Sequence, residues 1–155
     1  MIIRLLREDE TKILKDFLYE AIFIPEGTLP PNRSIIKQPE LAIYYERFGS
    51  GPADNCLVAE VDDKVVGAVW TRIMNDYGHV DDDTPSLAIS LYKEYRGKGI
   101  GTAMMQRMLD LLKEQGWEKA SLAVQKANDA VEMYEFVGFE VFDENDDEYI
   151  MVRRL

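Results

Sequence analysis

The sequence predicts a single α/β domain over residues 1–155, built on a mixed central sheet flanked by helices. Three observations carry this. Strand-like runs and helical periodicities succeed one another in the order β-α-α-β-β-β-α-β-α-β-β. In the second half, strand, helix, strand, helix and strand follow in turn, which requires right-handed crossovers and a partly parallel centre. Hairpin-like pairs earlier and at the end add antiparallel neighbours, so the sheet is mixed. A chain of 155 residues is one domain by default and buries about 68–70% of its unfolded surface without a disulfide or metal staple.

Each element has its own signal. Ile2 to Leu6 reads as a first strand. Asp9 to Phe23 places Ile13, Leu14, Phe17, Leu18 and Ala21 at helical spacing. Pro25, Gly27, Pro30 and Pro31 then impose an irregular loop. Pro39 opens a second helix through Leu41, Tyr44, Tyr45 and Phe48, stopped near Gly49 and Gly51. Cys56 to Val61 and Lys64 to Ile73 form a strand pair around the Asp62-Asp63 turn. Asn75 to Pro85 is a polar, acidic loop, and Ser86 to Leu91 is an uncharged run suited to a buried strand. Ile100 to Gln115 sets Ile100, Met104, Met108, Leu111 and Leu112 on one helical face, with Gly116 as its stop. Lys119 to Val124 is a strand and Asn128 to Val137 a short helix closed by Gly138. Phe139 to Phe142 and Tyr149 to Val152 pair around an acidic turn, where the acids from Glu140 to Glu148 read as a solvated hairpin end.

Composition excludes several classes. Hydrophobic residues make up 46% and charged residues 30%, an ordinary globular balance rather than a disordered or collagen-like one. The longest uncharged run, Thr84 to Tyr92, is far shorter than the roughly 18 residues that cross a bilayer. Met1 to Glu10 carries five charges and does not read as a secretory signal. Cys56 is the one cysteine, which allows no internal disulfide and fits a cytoplasmic setting; it is expected to pack inside a strand. No His/Cys cluster at metal-ligand spacing exists, so no metal is expected. The net charge of −11 argues against nucleic-acid and anionic-membrane partners. That charge is uneven, however. Lys93 to Lys126 holds seven basic and four acidic residues, a local +3 that leaves −14 on the rest.

Within this basic island lies the sharpest motif, Tyr95-Arg96-Gly97-Lys98-Gly99-Ile100-Gly101-Thr102, between a buried strand and an amphipathic helix. Glycines let the backbone turn tightly and approach a ligand with no side chain in the way. The helix N-terminus adds free N–H groups and a positive dipole end, and together they make an anion cradle. Arg96 and Lys98 place charge at its rim. A Walker loop is ruled out because Ile100, not Lys, follows Gly99. A dinucleotide fingerprint needs glycine where Thr102 stands and a position after the first strand. What remains is Arg-x-x-Gly-x-Gly, met by Arg96, Gly99 and Gly101, or a ligand-free glycine turn.

Arg96, Gly99 and Gly101 in this pattern resemble the pyrophosphate loop of the GNAT superfamily of N-acyltransferases. Asn128-Asp129-Ala130, Tyr134 and Gly138-Phe139 are similar to the later coenzyme A segment of the same superfamily, and the element order agrees over most of the chain. The early hairpin with Gly67 and Trp70 also fits the family's central meander. The resemblance implies acetyl-coenzyme A as co-substrate and a GNAT-like fold in which the fourth strand splays from the fifth to admit the pantetheine arm. Backbone groups of Ile89 and Leu91 would pair with pantetheine, and the Leu91 N–H would polarise the thioester carbonyl. Backbone N–H groups of Arg96, Gly97, Lys98, Gly99, Gly101 and Thr102 would hold the pyrophosphate, with Asn128 reaching the cofactor from the last helix. Tyr134 would protonate the departing thiolate; at the same spacing it also suits a core position beside Ala130 and Val137.

The general base is open. The strand Leu87 to Leu91 contains no carboxylate, whereas Asp76, His79, Asp81, Asp82 and Asp83 lie just before it. His79, the one histidine, is a candidate base, and proton removal through ordered water is the alternative. Asp81 and Asp82 either draw a cationic amine towards the cleft or form a solvated loop. Tyr44, Tyr45, Trp70, Arg72 and Tyr77 are acceptor-pocket or core aromatics and sheet-face residues, and Glu26 sits where relatives gate the acceptor. The expected activity is N-acetyl transfer to a primary amine, on a small molecule or a protein, by direct attack in a ternary complex. The alternatives are an acyl-coenzyme A sensor without turnover and an acidic interaction domain. Relatives commonly dimerise, so a homodimer is compatible with the resemblance.

Overall fold

The computed structural model describes all residues, Met1–Leu155. Seven strands form one sheet: β1 (Ile2–Leu5), β2 (Asn55–Val61), β3 (Lys64–Arg72), β4 (Ser86–Leu91), β5 (Lys119–Gln125), β6 (Glu140–Glu144) and β7 (Glu148–Arg154). Their order across the sheet is β1-β2-β3-β4-β5-β7-β6. Every neighbouring pair is antiparallel except β4 and β5, which are parallel. The helices are α1 (Ile13–Ala21), α2 (Pro39–Ala42), α3 (Ile100–Glu114) and α4 (Ala130–Phe136). The mixed, helix-flanked sheet agrees with the predicted class and with the predicted order of elements.

The sheet separates two apolar cores. Leu87, Leu91, Ala120, Leu122, Val124 and Met151 project to one face and pack with Ile100, Met104, Met108, Leu112, Tyr134 and Phe139. Leu14, Phe17 and Leu18 of α1 cover the other face with Cys56, Val58, Ala68 and Trp70. The period of two along each strand and of 3.6 along α1 and α3 produces this division. It also fixes which residues of β4 and β5 look towards α1: Ser86, Ala88 and Ser90 from β4, and Ser121, Ala123 and Gln125 from β5. Ser90 confirms its face by donating to the Phe17 carbonyl at 2.6 Å.

Two predicted helices are shorter than expected. The segment Asp9 to Phe23 divides into a 3-10 turn at Glu8–Glu10 and α1, and Ile22 is already extended. The second helix keeps only one turn, Pro39–Ala42, preceded by a 3-10 turn at Arg33–Lys37. Tertiary hydrogen bonds explain its early end. The Arg72 guanidinium donates to the carbonyls of Ile43 and Glu46 at 2.8 and 2.7 Å, and the Trp70 indole donates to that of Tyr44 at 3.1 Å. Those carbonyls are oriented towards the sheet, and Arg47 adopts a left-handed conformation at φ 53°. The other differences are shifts of one or two residues at element ends: the final strands, for instance, are Glu140–Glu144 and Glu148–Arg154 rather than Phe139–Phe142 and Tyr149–Val152.

Candidate active site

The sheet opens at its centre. β3 and β4 pair along six residues, from Arg72–Ser86 to Gly67–Leu91. β4 and β5 pair at a single position, Ser86–Ser121, where the Ser121 N–H donates to the Pro85 carbonyl. That bond sets the parity of the strand. Residues 85, 87, 89 and 91 turn their backbone groups towards β5, while residue 92 donates back to Val66 in β3. Beyond the single bridge, the backbone of Ile89 and the N–H of Leu91 face a gap. The centre of a seven-stranded sheet is normally buried, yet Ala88, Ile89 and Ala123 are half-exposed. Ile89 marks the gap on the α3 face, and Ala88 and Ala123 mark it on the α1 face.

The chain leaves β4 into the glycine loop. Gly97 and Gly99 have φ of 76° and 82°, conformations that favour glycine, and a Cβ at either would meet nothing within 4 Å. The loop is therefore glycine-rich for its backbone path and its open surface, not for packing. The Arg96 N–H donates to Lys93, and the next N–H with a protein acceptor is that of Ala103. From Gly97 through Thr102, six consecutive N–H groups have no acceptor in the protein. They converge at the start of the fifteen-residue α3, where the helix dipole also favours negative charge.

The Arg96 side chain has a different place from the expected rim. Its Nε donates to the Leu91 carbonyl at 2.9 Å and its Nη2 to the Glu20 carbonyl at 3.2 Å. It ties the end of β4 to the end of α1 and so fixes where the loop begins. Of the seven cations in the basic island, Arg96, Lys119 and Lys126 pair with Glu20, Asp81 and Glu144. Lys98, over the Tyr95 ring at 5.7 Å, has no acidic partner and remains beside the unpaired N–H groups.

Tyr134 comes from α4 and is buried in the α3-face core, edge-on to Phe139 with ring centroids 6.1 Å apart. A Cβ on Gly101 would lie 3.7 Å from Leu91 and 3.9 Å from Met133, so α4, the end of β4 and the start of α3 meet at this point. Burial pushes the Tyr134 phenol up to about 12, which keeps it protonated at neutral pH. Asn128 is occupied in part: its Oδ1 accepts from the Ala130 N–H at 2.9 Å and starts α4. Gly67 stands opposite Leu91 because a Cβ there would come within 2.4 Å of the Leu91 side chain. Cys56 is buried in β2, and burial pushes its thiol well above the usual range, which removes it as a nucleophile.

The acidic loop before β4 is bonded to itself. Asp81 accepts from Lys119 Nζ at 2.9 Å, from the Thr84 hydroxyl at 2.7 Å and from the Asp83 N–H at 2.9 Å. Lys119 first, then Thr84, hold its carboxyl down at about 2. His79 Nε2 lies 3.2 Å from Asp82, and its Nδ1 is buried without a partner. Glu26 is exposed in the loop after α1.

Two acids lie on the α1 face: Asp76, one of the candidates for general base, and Glu148, which is outside that set. Asp76 accepts from the Tyr44 hydroxyl at 2.7 Å and from the Ser86 hydroxyl at 2.9 Å. Burial holds the Asp76 carboxyl up, against the pull of those two bonds. Tyr44 is pushed far above its ordinary value by burial and then by Asp76. Glu148, expected in the hairpin turn, instead begins β7 opposite Gln125. The alternation of Glu148, Ile150 and Val152 along β7 is the signal that places it on this face.

A parallel strand pair opened at its centre, followed by a cradle of free N–H groups on a helix N-terminus, gives this α/β domain a site of the kind that suits an extended anionic ligand. The acetyltransferase (GNAT) family model matches residues 19–139, and the chain belongs to that family. An acetyltransferase of Sodalis glossinidius is 37% identical over 107 residues, covering 68% of this chain and 69% of that one. A probable N-acetyltransferase, camello, of Xenopus laevis is 34% identical over 83 residues, 53% of this chain; the chain spans 36% of that relative's length. The fold matches the PaiA N-acetyltransferase of Thermoplasma acidophilum, solved with coenzyme A, at a TM-score of 0.72 and 21% identity over 100% of both chains.

Proposed function

We propose that this protein transfers an acetyl group from acetyl-coenzyme A to a primary amine, by direct attack in a ternary complex. The observation that carries the reading is the run of six unpaired N–H groups, Gly97 to Thr102, beside the opened β4–β5 junction. That cradle suits the pyrophosphate, and the backbone of Ile89 and Leu91 suits the amide groups of the pantetheine arm. Family membership and the coenzyme A complex of the Thermoplasma acidophilum neighbour support the same assignment.

When bound, acetyl-coenzyme A supplies an acetyl thioester. The Leu91 N–H would donate to the carbonyl oxygen as negative charge develops there. Tyr134 would give its proton to sulfur as the carbon–sulfur bond breaks. The amine would attack as the free base and release one proton to solvent, which returns one to Tyr134, so sulfur gains what nitrogen releases. Lys98 and Asn128 contribute from the rim of the site.

The test is release of free thiol from acetyl-coenzyme A across a panel of primary amines, with calorimetry of acetyl-coenzyme A binding alongside. Amine-dependent release supports transfer. Binding without release for any amine would make the protein an acyl-coenzyme A sensor, and no binding would refute the cofactor.

A further inference from the structure

Glu148 lies on the α1 face of the sheet, next to β5 on the far side of the opened β4–β5 junction. Extending the register from the Ser86–Ser121 bridge sets Ala88 opposite Ala123 and Ser90 opposite Gln125. Gln125 pairs with Glu148. Antiparallel partners project to the same side, so Glu148 stands level with Ile89 to Leu91, on the α1 face. Tyr134 approaches the same level from the α3 face. The amine and the leaving thiolate thus have opposite faces of the gap.

The surroundings of Glu148 are those of a carboxylate awaiting a cation. Asp54 is answered by Arg72 and Asp81 by Lys119, each within 3.0 Å, whereas Glu148 has no salt-bridge partner. It is half-buried, and both burial and the neighbouring Asp147 hold its carboxyl above the usual range. Tyr44 packs on the same face, and the Glu148 charge adds to the upward push on its phenol. Asp76 cannot serve in its place, because its two oxygens already accept from Tyr44 and Ser86. The floor between the walls is Ala88 and Ala123, small residues that leave room for an alkyl chain.

We propose that Glu148 is the specificity-determining carboxylate of the acceptor site, pairing with a second cationic group on the acceptor and so selecting alkyl amines that carry one besides the attacking nitrogen. This rests on the acyl-transfer reading above and adds the acceptor class to it. Amines without that second cation lose the pairing, and amines bearing a carboxylate meet repulsion from Glu148 and Asp147.

Glu148→Gln tests this, since it keeps shape and register while removing the charge; Glu148→Asp is its charge-conserving companion. Calorimetry of 1,4-diaminobutane on the coenzyme A-bound protein gives affinity, and thiol release gives the KM for that amine and for 4-amino-1-butanol. The expected result is about a tenfold loss of diamine affinity in Glu148→Gln, a smaller loss in Glu148→Asp and less than about a twofold change for the amino alcohol. Acetyl-coenzyme A affinity and the unfolding midpoint should hold in both variants. Equal diamine affinity in wild type and Glu148→Gln, or no diamine binding to wild type, would overturn the proposal. Failure of the two readings is distinguishable. Charge-dependent diamine binding without thiol release retains the recognition and refutes transfer. Amine-dependent release indifferent to Glu148→Gln does the reverse.

Discussion

The two loops on either side of β4 are opposites. The loop that enters it, from Asn75 to Pro85, bonds inward: Asp81 to Lys119, Thr84 and Asp83, Asp76 to Tyr44 and Ser86, and the Gly78 carbonyl to the Ser121 hydroxyl. The loop that leaves it, from Tyr92 to Gly99, secures only its base, through Arg96 and the Tyr95 and Arg96 N–H groups. The next six N–H groups are left free. Both loops are polar and both looked like ligand sites by composition. Charge density does not separate them; unsatisfied bonding capacity does, because a group already paired has little left to offer a ligand.

The largest expected effect breaks the leaving side at its chemistry. Tyr134→Phe should lower kcat by about 10²–10⁴-fold with acetyl-coenzyme A affinity unchanged, as steady-state kinetics and calorimetry would report. Unchanged turnover would return Tyr134 to a packing role.

Next is the loop backbone. Gly99→Ala forces a side chain into a left-handed conformation at φ 82°, a strain of about 1–2 kcal/mol, although nothing lies within 4 Å to clash. The loop can relieve that strain only by turning its N–H groups. Coenzyme A affinity should fall by about tenfold, with a smaller change in unfolding midpoint.

Gly67→Ala sharpens the contrast from beneath. Its Cβ would lie 2.4 Å from the Leu91 side chain, which must move. Overpacking of this kind costs about 1–3 kcal/mol, readable by denaturant unfolding. It should also weaken coenzyme A binding through the displaced end of β4.

The smallest effect belongs to the entering loop. Asp81→Asn removes a partly exposed pair with Lys119 and should cost at most about 1 kcal/mol, with coenzyme A affinity intact. Its pH signature has a definite sign. The folded-state value, held down at about 2, lies below the ordinary carboxylate value, so the pair stabilises above that ordinary value. The stabilisation is lost as pH falls towards 2. Unfolding midpoints of wild type and Asp81→Asn should therefore converge over that acid range.

Much of the fold was legible because its signals are local. Helical spacing in Ile100 to Leu112 and two left-handed glycines in front of it specify a loop and a helix whatever lies around them. The region from Tyr44 to Arg47 departs from its helical spacing for the opposite reason. Its carbonyls are taken by Trp70 and Arg72, 25 to 29 residues away, and helical spacing carries no trace of that. Arg96 shows the same limit: the motif located it, but its acceptors at Leu91 and Glu20 turned an expected rim charge into a fastening.

By itself, the sequence determined the order of elements, the glycine cradle and the position of Tyr134, because backbone sterics and periodicity act within a few residues. The tertiary structure alone decided where the sheet opens, which acids are spent and that Glu148 shares a face with Tyr44. Those outcomes depend on register between β4, β5 and β7 and on pairings such as Asp81 with Lys119, set by groups that the chain brings together only on folding.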